Sequence, residues 1–285
     1  MDLLYIHPDP QMPHDTVVPM GLAGMINHAR AATACEVVGR YWHEVRAGEL
    51  AAAKVIAMDL HWYSSLASYC ELVRRVRRVS PGTPIIAGGV TASIFARLLV
   101  RRGLADHVVV GDADFPFATL VSCLLRRGDL ARIPNVVSAG GGPASRYCLT
   151  RADFDALDFM DIGWFPSLLR AARRRHAWFK RSGVLWDGFP YLNISRGCTQ
   201  PCPECAGSTG NQRRIFHRAR VTRSPARVAR SLDLYQANPD FEAVTIHHGF
   251  LIDEEDHYVQ GVLDRPRDLR VFYELYDLPS PRRLQ

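Results

Sequence analysis

The sequence lacks any long apolar run. None of its 285 residues falls in a stretch of about 18 or more consecutive apolar residues, the length that marks a transmembrane helix. The first residues, Met1-Asp2-Leu3, also lack the basic segment that opens a secretory signal peptide. We therefore expect a protein with no membrane contact and a cytoplasmic location.

Two phosphate-binding motifs are absent as well: GxGxxG, typical of dinucleotide-binding folds, and GxxxxGKS/T, typical of the P-loop. The net charge is +6, and the excess lies largely in arginine-rich segments at residues 74–78, 170–175 and 213–230. Such segments are most often solvated helix faces, so we do not expect nucleic-acid binding.

Short apolar runs alternate with helical patterns through the first 130 residues. The runs are rich in valine and isoleucine without polar alternation, which is typical of parallel strands buried on both faces. We predict a Rossmann-like, doubly wound parallel α/β sheet over residues 1–130. Its strands are expected at residues 3–6, 35–38, 55–59, 84–87 and 108–110, and its helices at residues 17–32, 66–79, 92–102 and 117–126.

Polar or glycine-rich loops follow most of the predicted strands. They begin at His7, Asp59, Gly88 and Gly111. In a parallel sheet ligands bind beyond the carboxyl ends of the strands, and glycines there let the backbone approach a large flat ligand. One edge of the sheet is therefore the expected binding site of the first domain.

Three of the seven cysteines, Cys198, Cys202 and Cys205, fall within eight residues after the apolar run 191–194. Pro201 and Pro203 remove backbone donors, which favours a loop over a helix. In ferredoxins each iron of a [4Fe-4S] cluster has its own cysteine. Three thiolates at CxxxCxxC spacing would leave one iron open to an outside ligand.

A zinc site is the main alternative for these cysteines. Cys202 and Cys205 form a CxxC pair, and His217 follows at a distance within the looser range of zinc-finger spacings. That arrangement leaves Cys198 without a clear role. A disulfide is not favoured, because the number of cysteines is odd and no signal peptide indicates an oxidising compartment.

The cysteine motif, following Ile194-Ser195-Arg196-Gly197, closely resembles the cluster-binding motif of the radical S-adenosylmethionine (SAM) superfamily. The resemblance implies that Cys198, Cys202 and Cys205 bind a [4Fe-4S] cluster whose open iron is chelated by SAM, which is cleaved to a 5′-deoxyadenosyl radical. It also implies that Arg196 and Gly197 shape the loop.

The end of the second barrel strand helps to hold SAM in that superfamily, so the resemblance implies SAM contacts for His248 and Gly249. The Gly-Gly-Glu sequence that is usual there is missing from this chain, which has His247-His248-Gly249. The adjacent His247 and His248 have two further interpretations, as a separate metal site or as polar residues at a strand end.

The glycine turns ahead of the cysteine motif resemble the cobalamin-binding domain of the B12-dependent branch of radical SAM enzymes. Methionine-synthase-like cobalamin domains carry an Asp-x-His-x-x-Gly motif after the first strand, and this sequence departs from that pattern. The nearest match, Asp59-Leu60-His61, follows the third predicted strand and has Ser64 in place of the glycine. A hydrogen-bonded loop histidine is the alternative for His61. The resemblance implies that the corrin site is lined by Asp59, His61, Ser64, Gly88, Gly89, Thr91, Gly111 and Asp112.

Residues 131–188 are predicted to connect two domains. Residues 135–138 and 146–150 flank a glycine-rich turn and predict a β-hairpin. Residues 168–180 form a basic amphipathic helical pattern, which we expect to pack between the domains with the aid of Trp164, Phe165, Trp178, Phe179 and Trp186.

Residues 189–285 resemble the N-terminal portion of a radical SAM (β/α) barrel. Ser224 and Pro225 indicate the start of a helix, and residues 241–247 and 269–276 are predicted strands. A complete barrel needs about 250 residues. We expect a truncated or split protein, or a partner chain that completes the barrel.

The predicted function is that of a cobalamin-dependent radical SAM enzyme that performs methyl transfer or a rearrangement with an external reductant such as a flavodoxin or ferredoxin. Two alternatives stay open. One is a radical SAM enzyme that modifies tRNA or protein, and the other is a non-catalytic cobalamin- or zinc-binding module with a decayed barrel.

Overall fold

The computed structural model describes residues 1–7, 20–168, 170, 191–205, 207–238, 243–247 and 268–274. Its main feature is a six-stranded sheet with the strand order β2-β1-β3-β4-β5-β6. The first five strands are parallel, and β6 runs antiparallel to β5. The strands are β1 (Leu3–His7), β2 (Val37–Tyr41), β3 (Val55–Asp59), β4 (Ile85–Gly88), β5 (His107–Val109) and β6 (Val136–Ser138).

Helices cover both faces of this sheet, as predicted for a doubly wound fold. One face packs against α1 and α5, and the other packs against α2, α3 and α4. The helices are α1 (Met20–Thr33), α2 (Ala47–Ala52), α3 (Leu66–Val79), α4 (Val90–Arg101), α5 (Asp114–Arg126) and, beyond the sheet, α6 (Arg151–Ala156).

Strand β1 lies inside the sheet and explains why its sequence has no polar alternation. Leu3 and Tyr5 point into one core with α1 and α5, whereas Leu4 and Ile6 point into the other. Successive side chains of a strand point to opposite faces. A strand covered on both faces therefore needs apolar residues at every position.

The predicted hairpin between residues 135–138 and 146–150 is wrong. Val136–Ser138 pairs with β5 and extends the main sheet past residue 130, while residues 146–150 form no strand. Adding a sixth strand buries Val136 and Val137 in the two different cores. The returning chain is held by Asn135, whose side-chain amide bonds the backbone of Tyr147 in both directions.

A second, smaller core surrounds the segment that leads to the cysteines. Leu192 and Ile194 pack against Val244 and Ile246. The predicted strand at residues 191–194 is reduced to one parallel bridge, between Tyr191 and Thr245. The elements here are β7 (Ser195–Arg196), β8 (Val221–Thr222), α7 (Pro225–Ala237), β9 (Ala243–His247) and β10 (Arg270–Glu274).

Helix α7 begins as predicted, because the Ser224 side chain accepts a hydrogen bond from the backbone of Arg227 and Pro225 occupies the first turn. Strands β9 and β10 are parallel neighbours in register, which is the arrangement expected of adjacent barrel strands.

Most of the basic pattern at 168–180, with Trp178, Phe179 and Trp186, lies outside the described residues. In the described part of the chain, no helix has the length and hydropathy of a membrane span.

The join between β5 and β6 predicts a pH dependence of stability. His107 bonds Ser138 through Nδ1 at 2.7 Å, and burial lowers the pKa of His107 although Asp106 raises it. Protonation is therefore easier in the unfolded chain, so this contribution to stability is full above about pH 6.5 and is lost as the pH falls through the lower folded pKa.

We expect His107→Gln, which keeps a hydrogen-bonding side chain, to reduce the loss of unfolding free energy between about pH 7.5 and about pH 5. Urea denaturation at both pH values measures it. An equal loss in both proteins would contradict a neutral, half-buried His107.

Candidate cofactor site

The strand order determines where the ligand-binding crevice of the sheet lies. Strand β1 has β2 on one side and β3 on the other, so the strand order reverses between β1 and β3. The carboxyl ends of these two strands therefore border the topological switch point, where doubly wound sheets bind their ligands. His7 ends β1 and Asp59 ends β3. Their side chains meet, with His7 Nδ1 3.4 Å from Asp59 Oδ2. The predicted residue Asp59 is thus at the expected crevice.

His7 begins one of the loops predicted at the binding edge, but it was not among the predicted ligand-binding residues. It is buried, and the hydroxyl of Tyr5 lies 3.3 Å from its Nδ1. Burial and then the nearby Asp59 raise the pKa of Tyr5 well above its ordinary value, so Tyr5 stays a neutral phenol. The apolar strand pattern had placed Tyr5 in the sheet, but only the neighbouring strand brings Asp59 to His7.

Gly89 forms the tight turn after β4. Its φ is +103°, and a Cβ atom there would lie 2.8 Å from the carbonyl oxygen of Leu60 and 2.9 Å from Asp59 Oδ1. The turn after β3 is tied to it, because Thr91 donates a hydrogen bond from Oγ1 to the carbonyl of His61 at 2.9 Å. Glycine is therefore required at position 89 for close approach of the two predicted ligand-binding loops.

The loop after β3 presents aromatic surface to solvent. Trp62 is 52% exposed and Tyr63 is 70% exposed, and the predicted residues His61 and Ser64 are exposed beside them. Gly88 faces open space, because a Cβ atom added there would have no neighbouring atom within 4 Å. Large exposed aromatic side chains beside an open glycine turn are typical of a surface that binds a ligand.

Asp112 is engaged by an arginine from far along the chain. Its carboxylate takes a two-point contact from Arg218, at 2.5 Å from Nε to Oδ2 and 2.6 Å from Nη2 to Oδ1, and accepts a bond from the backbone of Leu149. Neighbouring Gly111 donates its backbone N–H to Ser93 Oγ. A corrin contact of the Asp112 side chain would have to compete with Arg218.

The cysteine loop is an ordered loop and not a helix, as predicted. Gly197 enters it with φ +95°, where a side chain would meet Gln212. The backbone N–H of Gln200 donates to Cys198 Sγ at 3.3 Å, and Asn211 Nδ2 donates to the carbonyl of Cys205 at 2.9 Å.

All seven thiols of the chain are free. Cys198 is half-buried, while Cys202 and Cys205 are exposed. Within the described residues, no three His, Cys, Asp or Glu side chains are grouped closely enough to hold one metal ion. The three-cysteine ligand set stays a prediction.

Arg196 ties the cysteine loop to the edge of the sheet. Its guanidinium pairs with Asp114 at the start of α5 and donates to the carbonyl of Gly21 near the start of α1. Burial alone would lower the pKa of Arg196, but the attraction of Asp114 raises it overall, so the cation is held. Because α5 and α1 start at the carboxyl edge, Arg196 holds the start of the cysteine loop at that edge.

Buried polar atoms without a partner surround the same segment. Asn193 Nδ2, Ser195 Oγ and Asp114 Oδ1 are buried and have no hydrogen-bond partner in the described part of the chain. Such atoms cost free energy unless a ligand or water satisfies them. They lie beside the cysteine loop, as a bound polar molecule would require. The predicted SAM contacts His248 and Gly249 lie outside the described residues.

A cavity of about 610 Å³ opens between α4 and residues 214–217. Gly111 and His217, the zinc candidate, both line it, together with four exposed arginines: Arg97, Arg101, Arg146 and Arg214. The backbone carbonyls of Phe216 and His217 accept weak contacts from Cys148 Sγ at 3.6 and 3.9 Å. The cavity therefore borders the segment that follows the cysteine loop.

The glycine turn predicts contrasting effects of two neighbouring substitutions. We expect Gly89→Ala to lower the free energy of unfolding by about 2 kcal/mol or more, since it adds a methyl group at a strained φ and against backbone. Gly88→Ala, with open space around it, is the matched control and should lose less than about 1 kcal/mol. Urea denaturation of both variants measures this, and equal losses would contradict the turn geometry.

The chain is similar to a curated methylase and to solved structures of two enzymes. No protein-family model matches the sequence. The hopanoid C-3 methylase of Methylococcus capsulatus is 26% identical over 179 residues, which is 61% of this chain and 32% of that protein.

Two solved structures share the fold. The radical SAM methyltransferase TsrM from Kitasatospora setae, with cobalamin and a [4Fe-4S] cluster bound, matches with a TM-score of 0.62 at 14% identity over 86% of this chain and 47% of that one. The cobalamin-dependent SAM radical enzyme OxsB, with aqua-cobalamin and SAM bound, matches with a TM-score of 0.65 at 11% identity over 95% and 38%.

The chain thus spans 32% to 47% of the length of these relatives. At these identities the solved structures establish architecture. The resemblance inferred from the cysteine spacing and glycine turns is confirmed at that level: over the part that it spans, this chain has the fold of cobalamin-dependent radical SAM enzymes.

Proposed function

We propose that this chain is the cobalamin- and cluster-binding part of a radical SAM methyltransferase. The observation that carries the proposal is the position of the cysteine loop. Arg196 and Arg218, on either side of the loop, bind Asp114 and Asp112 at the carboxyl edge of the sheet. A site for a cluster and a site for a large flat cofactor therefore face the same space.

The cysteine loop has the chemistry of an iron–sulfur site. Cys198, Cys202 and Cys205 are free thiols on one hydrogen-bonded loop. The backbone N–H that Gln200 directs at Cys198 Sγ is the kind of contact that tunes cluster potentials. When bound, a cluster supplies an electron for cleavage of SAM, and cobalamin supplies a carrier for the methyl group.

The residues before the loop would hold SAM. Asn193 and Ser195 present buried polar atoms that lack partners in the described structure. An amide N–H and a hydroxyl suit the carboxylate of an amino acid, because both donate hydrogen bonds. We assign them this role together with the predicted His248 and Gly249.

The sheet edge would hold cobalamin. Trp62 and Tyr63 offer exposed aromatic area, and Gly88 leaves room above β4. His61 and Ser64 are exposed beside them, while Asp59 and His7 border the switch point. Two predicted contacts, Thr91 and Asp112, bond other parts of the protein through their side chains. Their proposed role is to support the loops around the corrin.

The relatives support methyl transfer over rearrangement, since a methylase and a methyltransferase are among them. The protein would position the reacting groups and exclude water, whereas the cofactors perform the chemistry. An electron carrier such as a flavodoxin or ferredoxin is the proposed partner, and a reducing cytoplasm is the proposed location because the thiols must stay reduced.

Anaerobic reconstitution tests the cluster. We expect roughly four irons and four sulfides per chain for a cube of this type, with loss of most of the iron in Cys198→Ser, Cys202→Ser and Cys205→Ser. Cys70→Ser and Cys123→Ser remove half-buried thiols outside the loop and are the matched controls. Binding of one zinc and no iron would contradict the proposal.

Cobalamin binding tests the sheet edge. We expect Trp62→Ala and Tyr63→Ala each to weaken binding of hydroxocobalamin about tenfold, because each removes exposed aromatic contact area worth about 1.4 kcal/mol. Leu234→Ala, a similarly exposed apolar residue on α7, is the control and should leave binding unchanged. Absorbance titration gives the dissociation constants. Equal affinity in all four proteins would place cobalamin elsewhere.

A further inference from the structure

We propose that Asp112 and Asp114 are positioning residues that hold the cysteine loop at a fixed place over the sheet edge. The resemblance implied a corrin contact for Asp112 and gave no role to Asp114. The inference rests on the proposed function for its purpose, but the contacts that carry it belong to the chain itself.

Asp112 is the more enclosed anchor. Its side chain is 1% exposed and that of Arg218 is 8% exposed. The planar guanidinium meets the carboxylate at two points, which fixes orientation as well as distance. From the same guanidinium, Nη1 donates to the carbonyl of Arg196 at 3.1 Å. Asp112 thereby reaches the backbone just before the cysteines.

Asp114 is the second anchor. Its side chain is 1% exposed and pairs with Arg196, which is 22% exposed. Arg196 directly precedes Gly197 and Cys198 in the chain. It also donates to the carbonyl of Gly21, so one guanidinium links the loop to the starts of both α5 and α1.

The two anchors act on opposite ends of one segment. Arg196 precedes the cysteines and Arg218 follows them, so the loop is attached at both ends to the start of α5 and the turn before it. Gln212 joins the ends, because it packs against Gly197 and its Oε1 accepts a bond from Arg218 at 3.2 Å. Two attachments set the tilt of the loop as well as its distance.

Charge makes the attachment stiff. A carboxylate or guanidinium left buried without its partner is strongly unfavourable. The loop therefore cannot move away from the edge without opening both ion pairs to water. Since reactions between two bound groups depend steeply on their separation, the acidic pair would set the distance between cluster and cobalamin.

Hydrogen–deuterium exchange of the chain without cofactors tests the contacts. We expect Asp112→Asn and Asp114→Asn to raise exchange of residues 196–216 roughly tenfold or more, because local opening no longer breaks an ion pair. Asp106→Asn removes a more exposed aspartate–arginine pair, with Arg77 at 2.8 Å, within the first domain. This control should leave residues 196–216 unchanged.

Arg218→Lys is a second, more conservative variant, which keeps the test decisive if the aspartate substitutions impair folding. Lysine keeps the charge but lacks the planar two-point contact. If the loop is positioned by that geometry, this variant also raises exchange of residues 196–216, by less than Asp112→Asn. Unchanged exchange in the Asp112, Asp114 and Arg218 variants, or an equal rise in Asp106→Asn, would overturn the inference.

Electron paramagnetic resonance of the loaded chain tests the consequence. The reduced cluster and cob(II)alamin are both paramagnetic, and their magnetic interaction weakens steeply with distance. We expect Asp114→Asn to retain iron and cobalamin but to change this interaction, with partial recovery in Asp114→Glu. An interaction unchanged in Asp114→Asn would overturn the positioning role.

The two proposals can fail separately. If the wild-type chain takes up neither iron nor cobalamin, the proposed function fails, while the exchange measurement still decides whether Asp112 and Asp114 hold the loop. If the wild type loads both cofactors and the variants behave as the wild type does, only the positioning role is wrong.

Discussion

The contact between the start of α5 and the arginines around the cysteine loop is the interaction on which the candidate site depends. Asp112 and Asp114 are almost fully buried, and their partners come from positions 218 and 196. Desolvating two such charges is costly, and only close, multiply bonded geometry offsets that cost. The interaction adds little net stability by itself. Its effect is to specify one relative arrangement of two parts of the chain.

The strand order supplies the other constraint. In the order β2-β1-β3, the loops after β1 and β3 lead to helices on opposite faces of the sheet, which leaves a crevice between them. The strand order alone produces this crevice, independently of the side chains that line it. His7 and Asp59 border that crevice, and the tight turn at Gly89 brings the loop after β4 against Leu60. The sheet thus provides a flat, partly aromatic edge, and the acid–arginine contacts place the cysteines above it.

Local features of the fold were predictable from sequence. The bounds of β3 and α3 match their predicted ranges, because a short valine- and isoleucine-rich run and an amphipathic helix are each encoded within their own residues. The start of α7 and the loop conformation of the cysteines followed from Ser224, Pro225 and the prolines near Cys202 in the same way.

Features that depend on distant partners were missed. The apolar pattern at Val136 and Val137 is equally compatible with a hairpin and with pairing to β5. The free edge of β5 selects the second arrangement, and the local sequence does not show that edge. His7 became a site residue through Asp59, and Arg218 through Asp112. An arginine inside an arginine-rich segment gives no signal that it is buried. The cluster ligands were predicted from the spacing of the cysteines. That spacing indicates which group they could bind but not which residues of the chain they contact.

The hydrogen bonds that order the cysteine loop also bear on how such a protein matures. Contacts within the chain, such as the hydrogen bond from Asn211 Nδ2 to the carbonyl of Cys205, hold the backbone of the loop, so binding of an inorganic group would need little further ordering of it. Cys202 and Cys205 face solvent, which gives an assembly factor direct access to them. The same openness leaves both sulfurs vulnerable to oxygen during synthesis, so rapid loading protects the chain from irreversible oxidation.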